Sequence, residues 1–188
     1  FYRNLGRCRT VFLTQEEPKG VADAISLARD FVGNDPFACV MPDCLLFSEV
    51  PMAKQLIRAF KRCGTHVMGT TLIKGEAVGR FGNVGVLEMG GADGGCPAII
   101  SLSDKKKEPL SGRPGAMILK GFGGGIYLPD YFHLLEATRA HGEGEVDDVP
   151  IHQTLAGEGM LVGVPLQGEA FDAGHPLGYR HAVRFAGR

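Results

Sequence analysis

Two aspartates stand where short apolar segments of the chain give way to loops. Asp43 follows the apolar run at 37–41, and Asp172 follows Phe171 and comes shortly before a glycine. In open α/β sheets, ligands bind in the crevice beyond the carboxyl ends of the strands. Two carboxylates delivered there from distant parts of the chain would hold a hard cation, such as Mg²⁺, against a phosphate. The first hypothesis is therefore a nucleotide or sugar-phosphate site.

Alternating apolar and amphipathic segments predict the elements that would position these aspartates. Apolar runs at 10–13, 37–41 and 66–73 predict strands, and the run at 37–41 is expected to be buried because it is continuously apolar. An apolar stripe at 20–31 and a segment at 51–62 that opens with proline predict the helices between them. This order of strands and helices indicates a parallel sheet with right-handed crossovers.

The second half of the chain has a different, glycine-rich texture. Its predicted elements are three strands, two helices, a strand and a final helix, at 84–88, 98–102, 116–128, 129–139, 146–156, 160–165 and 175–185 in that order. Four glycines in the third of these strands, at 121 and 123–125, indicate a bulge or a close approach to a ligand. No segment is typical of a linker, so residues 1–188 are expected to form one domain.

The composition and the missing motifs narrow the function classes. The 188 residues carry a net charge of −1, so no general attraction to nucleic acid or to an anionic membrane is expected. No apolar run approaches the roughly 20 residues of a membrane helix. The patterns G-x-x-x-x-G-K-[ST], G-x-G-x-x-G, G-x-S-x-G and H-E-x-x-H do not occur.

The cysteines and the first residue carry two further expectations. The five cysteines are odd in number and show no C-x-x-C spacing. Buried or idle thiols in a reducing cytoplasm are therefore expected, rather than disulfides, a metal cluster or a nucleophile. The chain begins with Phe1, which indicates a processed, truncated or incompletely represented product.

Five short blocks of the sequence resemble those of one enzyme family, the bacterial UTP–glucose-1-phosphate uridylyltransferases. The first two blocks are 15–24 (QEEPKGVADA), which resembles Q-x-E-P-x-G-x-G-H-A, and 37–43 (FACVMPD), which resembles F-A-V-x-L-P-D. The other three are 81–84 (FGNV), which resembles Y-G-V-V, 144–146 (GEV), which resembles G-E-I, and 171–179 (FDAGHPLGY), which resembles Y-D-x-G-x-x-L-G-Y. The blocks occur in the order of the family, which makes the resemblance specific.

The resemblance implies both a fold and an activity. The fold would be a Rossmann-like mixed, mostly parallel α/β sheet flanked by helices, without its first β-α phosphate-loop unit. The chain would then correspond to the C-terminal two-thirds of the family fold. The activity would join UTP to glucose 1-phosphate, giving UDP-glucose and pyrophosphate, with Mg²⁺ as cofactor. A homodimer or homotetramer is implied as well, whereas the cytoplasmic location is expected from the cysteines.

Motif position implies roles for the metal and base residues. Asp43 would be the principal metal ligand and a catalytic residue, and Asp172 the second ligand. Gln15 and Gly20 would meet the uracil, because a glycine lets a base lie against the backbone.

Motif position also implies roles around the sugar and the phosphate. Gly82 and Glu145 would lie around the sugar. The segment 104–109 (DKKKEP) resembles a scrambled form of the family's E-K-P, in which Lys105 would reach phosphate and Glu108 the sugar.

Departures from the family pattern leave two functions open. The family's G-x-G-T-R-type loop is absent, and Ala22 and Asp23 replace the second glycine and the histidine of the uracil segment. The chain is therefore either a uridylyltransferase or a non-catalytic relative that serves as a regulatory or assembly subunit.

Each candidate residue also has a structural interpretation. Asp43 would only end a strand, and Asp172 would begin a turn or a helix. Lys105 would lie in a solvated turn, and Glu145 would complement a helix dipole. Gln15 would be an ordinary polar residue.

Overall fold

The computed structural model describes residues 6–82, 85–93, 95–104, 113–141 and 146–187. In these ranges the strands are β1 (Phe37–Val40), β2 (Cys44–Phe47), β3 (His66–Lys74), β4 (Leu87–Asp93), β5 (Cys96–Leu102), β6 (Met117–Tyr127), β7 (Leu161–Pro165) and β8 (Glu169–Asp172). The α-helices are α1 (Val21–Ser26), α2 (Arg29–Val32), α3 (Met52–Cys63), α4 (Tyr131–His141), α5 (Val149–Gly157) and α6 (Pro176–Ala186), and a 3-10 helix spans Gly75–Arg80. None of the described helices is long and apolar enough to cross a membrane.

Six of the described strands form one mixed sheet in the order β1-β6-β3-β7-β5-β4, and β2 pairs with β8 in a separate antiparallel ribbon. β3 and β7 are parallel neighbours, whereas β6 runs antiparallel to both β1 and β3. β1, β3, β4 and β7 therefore point one way, and β5 and β6 the other. The mixed α/β sheet with flanking helices is confirmed. The direct pairs among the described strands are mostly antiparallel, because β6 and β5 each run antiparallel to both of their neighbours.

Helices cover both faces of the sheet. On one face α1, α4 and α5 enclose a core in which Met68 and Leu155 are buried. On the other face α3 packs Leu56 against Val67 and its neighbours. Val67 and Met68 serve different cores because successive side chains of a strand point to opposite faces.

The predicted helix at 51–62 is confirmed as α3. Pro51 precedes its first turn, and Gly64 ends it in the left-handed conformation with a φ of 68°. Lys61 and Arg62 lie in the last turn, where positive charge complements the helix dipole.

Other predicted elements are found with changed bounds. The helix predicted at 20–31 is divided into α1 and α2, and the strand predicted at 84–88 is found from Leu87 onward as β4. The ribbon strands β2 and β8 were not predicted, because four residues are too few for a periodic signal.

Two expectations about the first strands are wrong. The segment 10–13 forms no strand, and its Phe12 is 92% exposed, because no described strand lies beside it to complete a ladder. β1 is only half-buried, with Val40 46% exposed, because it is an edge strand of the sheet.

The glycines of β6 allow close approach between strands. The register of β6 against β3 shifts between the pairs Met68–Gly125 and Thr70–Gly121. Gly124 has a φ of 124°, and a Cβ there would lie 2.0 Å from the Cys39 carbonyl oxygen. Only glycine fits, since any side chain would collide with the backbone of β1. The predicted bulge is confirmed, and the close approach at Gly124 is to a neighbouring strand.

Cys63 and Cys96 form a disulfide with a Cα–Cα distance of 5.8 Å. It joins the end of α3 to the start of β5. The expectation of thiols alone is therefore wrong, because the packing of α3 on the sheet brings together two cysteines whose spacing in the sequence carries no signal. Cys8, Cys39 and Cys44 form no disulfide.

Candidate functional site

The β2–β8 ribbon brings the two aspartates together. Asp43 immediately precedes β2, Asp172 ends β8, and Cys44 is the register partner of Asp172. The Ala173 N–H also donates to the Asp43 carbonyl oxygen at 2.7 Å. The ribbon thus joins two motifs that are far apart in the chain.

Both carboxylates face the space in front of Gly174. A Cβ added at Gly174 would lie 2.5 Å from Asp43 Oδ2 and 3.3 Å from Asp172 Oδ1. The Asp172 carboxylate accepts hydrogen bonds from the Gly82 N–H at 2.6 Å and from the His175 N–H at 3.2 Å. The second contact is that of a turn residue, so the turn and metal-binding interpretations of Asp172 are compatible.

Lys120 is a buried cation beside these carboxylates and was not among the predicted site residues. The residue is 3% exposed, its Nζ donates to the Gly82 carbonyl oxygen at 2.9 Å, and Nζ lies 5.6 Å from the centre of the Phe81 ring. Burial lowers the pKa of Lys120, and the negative charge of Asp172 partly opposes that shift. The available signal was a lysine inside an otherwise apolar, glycine-rich strand.

One cavity of about 320 Å³ contains these groups and follows β6. Asp43, Asp172 and Lys120 line its charged end. Tyr127 also lines it. Lys120 pairs with Thr71 and Ile126 with Val67, four positions further along β3, so Lys120 and Tyr127 lie roughly 17 Å apart along the sheet. The β1–β6 register also places these groups at opposite ends of the cavity, because Phe37 of β1 pairs with Tyr127 while the end of β1 nearest Asp43 pairs with Gly124. The cavity is therefore elongated.

The other end, the aromatic end, is lined by the rings of Tyr127, Tyr131 and His152 and by Cys39, and Asp148 is part of the same lining. Tyr127 lies 4.6 Å from Tyr131 and 5.4 Å from His152, measured between ring centroids. Burial lowers the pKa of His152 to about 4 and raises the pKa of both tyrosine hydroxyls. Burial also raises the pKa of the Cys39 thiol to about 11. These groups are therefore uncharged at neutral pH.

The segment predicted to meet a base is hydrogen-bonded within itself. Gln15 Nε2 donates to Asp23 Oδ2 at 2.6 Å and to the Gly20 carbonyl oxygen at 3.2 Å. Asp23 is 6% exposed and also pairs with Arg139 at 2.7 Å. Neither Gln15 nor Gly20 lines the cavity, which α1 reaches through apolar side chains.

The remaining predicted site residues divide into two groups. Gly82 lies beside the charged end, where its N–H and carbonyl contact Asp172 and Lys120. Lys105, Glu108 and Glu145 lie outside the described residues.

The acidic pair fits one kind of metal site only. Among the residues that the structure describes, no three His, Cys, Asp or Glu side chains come together as metal ligands. Mg²⁺ is commonly held by one or two carboxylates together with substrate phosphates. Asp43 and Asp172 fit that arrangement, and they do not form a cage made of protein ligands alone.

No family model matches the chain, but individual proteins do. A Bacillus subtilis (strain 168) protein named "Putative UTP–glucose-1-phosphate uridylyltransferase" is 32% identical over 167 residues, covering 88% of this chain and 58% of that protein. The UTP–glucose-1-phosphate uridylyltransferase of Staphylococcus haemolyticus is 26% identical over 168 residues, covering 89% and 56%. The chain thus spans less than two thirds of the length of these relatives.

Solved structures show the same fold. A UDP-glucose pyrophosphorylase complexed with UDP-glucose superimposes with a TM-score of 0.80 at 23% identity, covering 99% of this chain and 70% of that one. A UTP-bound UGPase from Acinetobacter baumannii superimposes with a TM-score of 0.70 at 22% identity, covering 93% and 59%.

Proposed function

Because the chain is a relative of the UTP–glucose-1-phosphate uridylyltransferases and has the fold of the UDP-glucose pyrophosphorylases, we propose that it catalyses Mg²⁺-dependent uridylyl transfer from UTP to glucose 1-phosphate. A phosphate oxygen of glucose 1-phosphate attacks the α-phosphorus of UTP, and the bond to the β-phosphate breaks. UDP-glucose forms and pyrophosphate leaves. The observation that carries the proposal is the meeting of Asp43, Asp172 and Lys120 in one cavity.

The proposed roles follow from charge and position. Asp43 and Asp172 would hold Mg²⁺, which neutralises phosphate charge when it is bound. Backbone donors already orient the Asp172 carboxylate, so little reorganisation is needed on binding. Lys120 presents positive charge in a buried setting, where its attraction to phosphate is less screened than at the surface.

Further roles are proposed on motif position alone. They are base contact for Gln15 and Gly20, sugar contact for Gly82, Glu108 and Glu145, and phosphate contact for Lys105.

We also propose a single nucleotidyltransferase-like domain that works in the cytoplasm as a homodimer or homotetramer. Light scattering of the purified chain tests the oligomeric state.

Titration calorimetry with UTP and UDP-glucose, with and without Mg²⁺, tests the main proposal. We expect both ligands to bind in the presence of Mg²⁺, and Asp43→Asn to weaken that binding by about tenfold or more, because a charged ligand of the ion is lost. Asp35→Asn, at an exposed position, is the matched control and is expected to bind like the wild type. Equal affinities for wild type and Asp43→Asn would contradict the metal assignment.

A second candidate is the non-catalytic subunit, and one observation favours it. Gln15 is hydrogen-bonded to Asp23 instead of lining the cavity. Pyrophosphate release separates the candidates: turnover within the usual enzyme range of roughly 1–10³ s⁻¹ supports the transferase, whereas tight binding without turnover supports the second candidate.

A further inference from the structure

Two polar atoms in the wall of the cavity are buried and have no hydrogen-bond partner among the described residues. Tyr131 is fully buried and His152 is 5% exposed, and both side chains line the cavity. In the part of the chain that the structure describes, Tyr131 Oη and His152 Nε2 have no hydrogen-bond partner. Since nearly all buried polar groups in folded proteins are hydrogen-bonded, two such atoms in one wall point to a ligand that satisfies them.

Neighbouring rings hold these two side chains in place. The Tyr127 ring stacks on His152 with an interplanar angle of 26° and lies 4.6 Å from the Tyr131 ring. Phe37 meets Tyr131 edge-on at 5.8 Å. A ligand would therefore bind without first having to order these side chains, which favours affinity.

The chemistry of this aromatic end, which Asp148 also lines, differs from that of the charged end with its cation Lys120. Burial lowers the pKa of His152 to about 4, with Asp147 opposing the shift and His66 adding to it, and burial raises the pKa of Tyr131. A neutral imidazole and a phenol both donate and accept hydrogen bonds. They suit hydroxyl, carbonyl or ring N–H groups, whereas phosphate suits the cation Lys120 at the other end.

We propose that Tyr131 and His152 form a subsite for the uncharged, hydrogen-bonding ring of a nucleotide sugar, either its hexose or its nucleobase. The proposal rests on the proposed function, because the charged end of the same cavity would hold the phosphates of that ligand. The span of roughly 17 Å along the sheet between Lys120 and Tyr127 leaves room for a diphosphate and a ring in one extended ligand.

Tyr131→Phe tests the subsite, because it removes only Oη. Calorimetry in Mg²⁺ compares UDP-glucose, UDP and pyrophosphate as ligands of wild type and variant. We expect UDP-glucose to bind roughly three- to tenfold more weakly to Tyr131→Phe, the loss expected for one uncharged hydrogen bond. Pyrophosphate has no ring and is expected to bind equally well to both. An equal loss for UDP assigns the subsite to the nucleobase, and a loss confined to UDP-glucose assigns it to the hexose.

Two controls separate binding from folding. Tyr179→Phe makes the same chemical change at a 56% exposed position of α6 and is expected to leave all affinities unchanged. The melting temperature of Tyr131→Phe is expected to match that of the wild type, since Oη has no hydrogen-bond partner among the described residues. A clearly lower melting temperature would mean that the hydroxyl serves the fold, and the subsite would be overturned.

His152→Leu repeats the test on the other unpartnered atom. Wild-type affinity for UDP-glucose in both Tyr131→Phe and His152→Leu would overturn the subsite and leave the proposed function standing. A wild-type chain that binds none of the three ligands would overturn both proposals.

Discussion

Gly82 connects the two charges at the charged end of the cavity. Its N–H donates to Asp172 and its carbonyl accepts from Lys120, so one peptide segment fixes both side chains. A glycine suits this position, because a Cβ at Gly82 would lie 3.2 Å from Asp172 Oδ2. The carboxylate and the ammonium are thereby held beside the cavity by backbone groups, which leaves their remaining hydrogen-bonding positions for a ligand.

Replacement of Lys120 by methionine separates the function of that charge from its cost to the fold. We expect Lys120→Met to bind UTP and UDP-glucose roughly ten- to a hundredfold more weakly, because a charge-assisted hydrogen bond is lost. Burial already disfavours the charged lysine, so the free energy of unfolding is expected to change far less than binding. Calorimetry and urea unfolding measure the two effects. Lys74→Met, at an exposed position of β3, is the matched control. Equal losses of ligand affinity in both variants would contradict a role for Lys120.

Acid is expected to destabilise the fold through His152. Its pKa is lowered to about 4 from an ordinary value of 6.5, so the unfolded chain binds the proton more tightly than the folded chain does. The contribution of neutral His152 to the free energy of unfolding is therefore fully present above pH 6.5 and is lost as the pH falls toward 4. Relative to wild type, the free energy of unfolding of His152→Leu is expected to rise by about 2 kcal/mol between pH 7.5 and 5.

Urea unfolding at the two pH values measures this difference. His133→Gln, at an exposed position of α4, controls for the loss of a histidine. A difference between His152→Leu and wild type that stays constant with pH would show that His152 titrates normally in the folded chain.

Among the elements, those with strong local signals were predictable. Helix α3 has a proline before its first turn and a glycine after its last, and these residues act through their own backbone geometry. The ribbon strands β2 and β8 have no such signal, because each exists only through pairing with the other. The segment 10–13 shows the converse, since an apolar sequence without a neighbouring strand remained irregular.

The backbone geometry of Gly124 in β6 predicts a loss of stability for any substitution there. Its φ of 124° and the 2.0 Å approach to the Cys39 carbonyl oxygen exclude any Cβ. We expect Gly124→Ala to lower the free energy of unfolding by at least about 2 kcal/mol, since strain and overpacking add. Gly157→Ala, at the end of α5 where a Cβ meets nothing within 4 Å, is the matched control. Unfolding curves that coincide for the two variants would contradict the tight β1–β6 contact.

For the molecule as a whole, family resemblance pointed to one part of the candidate site and could not point to the rest. The two aspartates lie in sequence blocks, so their positions could be read directly. Lys120, Tyr131 and His152 become notable only through burial, which depends on how α4 and α5 pack on β6 and not on local sequence. The relatives extend well beyond the matched region, since the chain covers 58% of the Bacillus subtilis protein.

The Cys63–Cys96 disulfide ties one layer of the molecule to another and is expected to support global stability. It joins the end of α3 to β5 across 33 residues, and a loop of that length corresponds to about 3–4 kcal/mol in the chain-entropy description. Cys63→Ser with Cys96→Ser is therefore expected to lower the free energy of unfolding by that amount in urea titrations under oxidising conditions. Cys8→Ser, outside the disulfide, is the control and is expected to unfold like the wild type.

Thiol titration in denaturant checks the same bond chemically, with three reactive thiols expected per oxidised chain, those of Cys8, Cys39 and Cys44. A reducing cytoplasm keeps such pairs as dithiols. The same thiol titration on protein extracted from cells under acid trapping therefore also tests the proposed localisation. Five reactive thiols in the oxidised, purified chain, together with unchanged stability of the double variant, would show that the two cysteines remain unpaired.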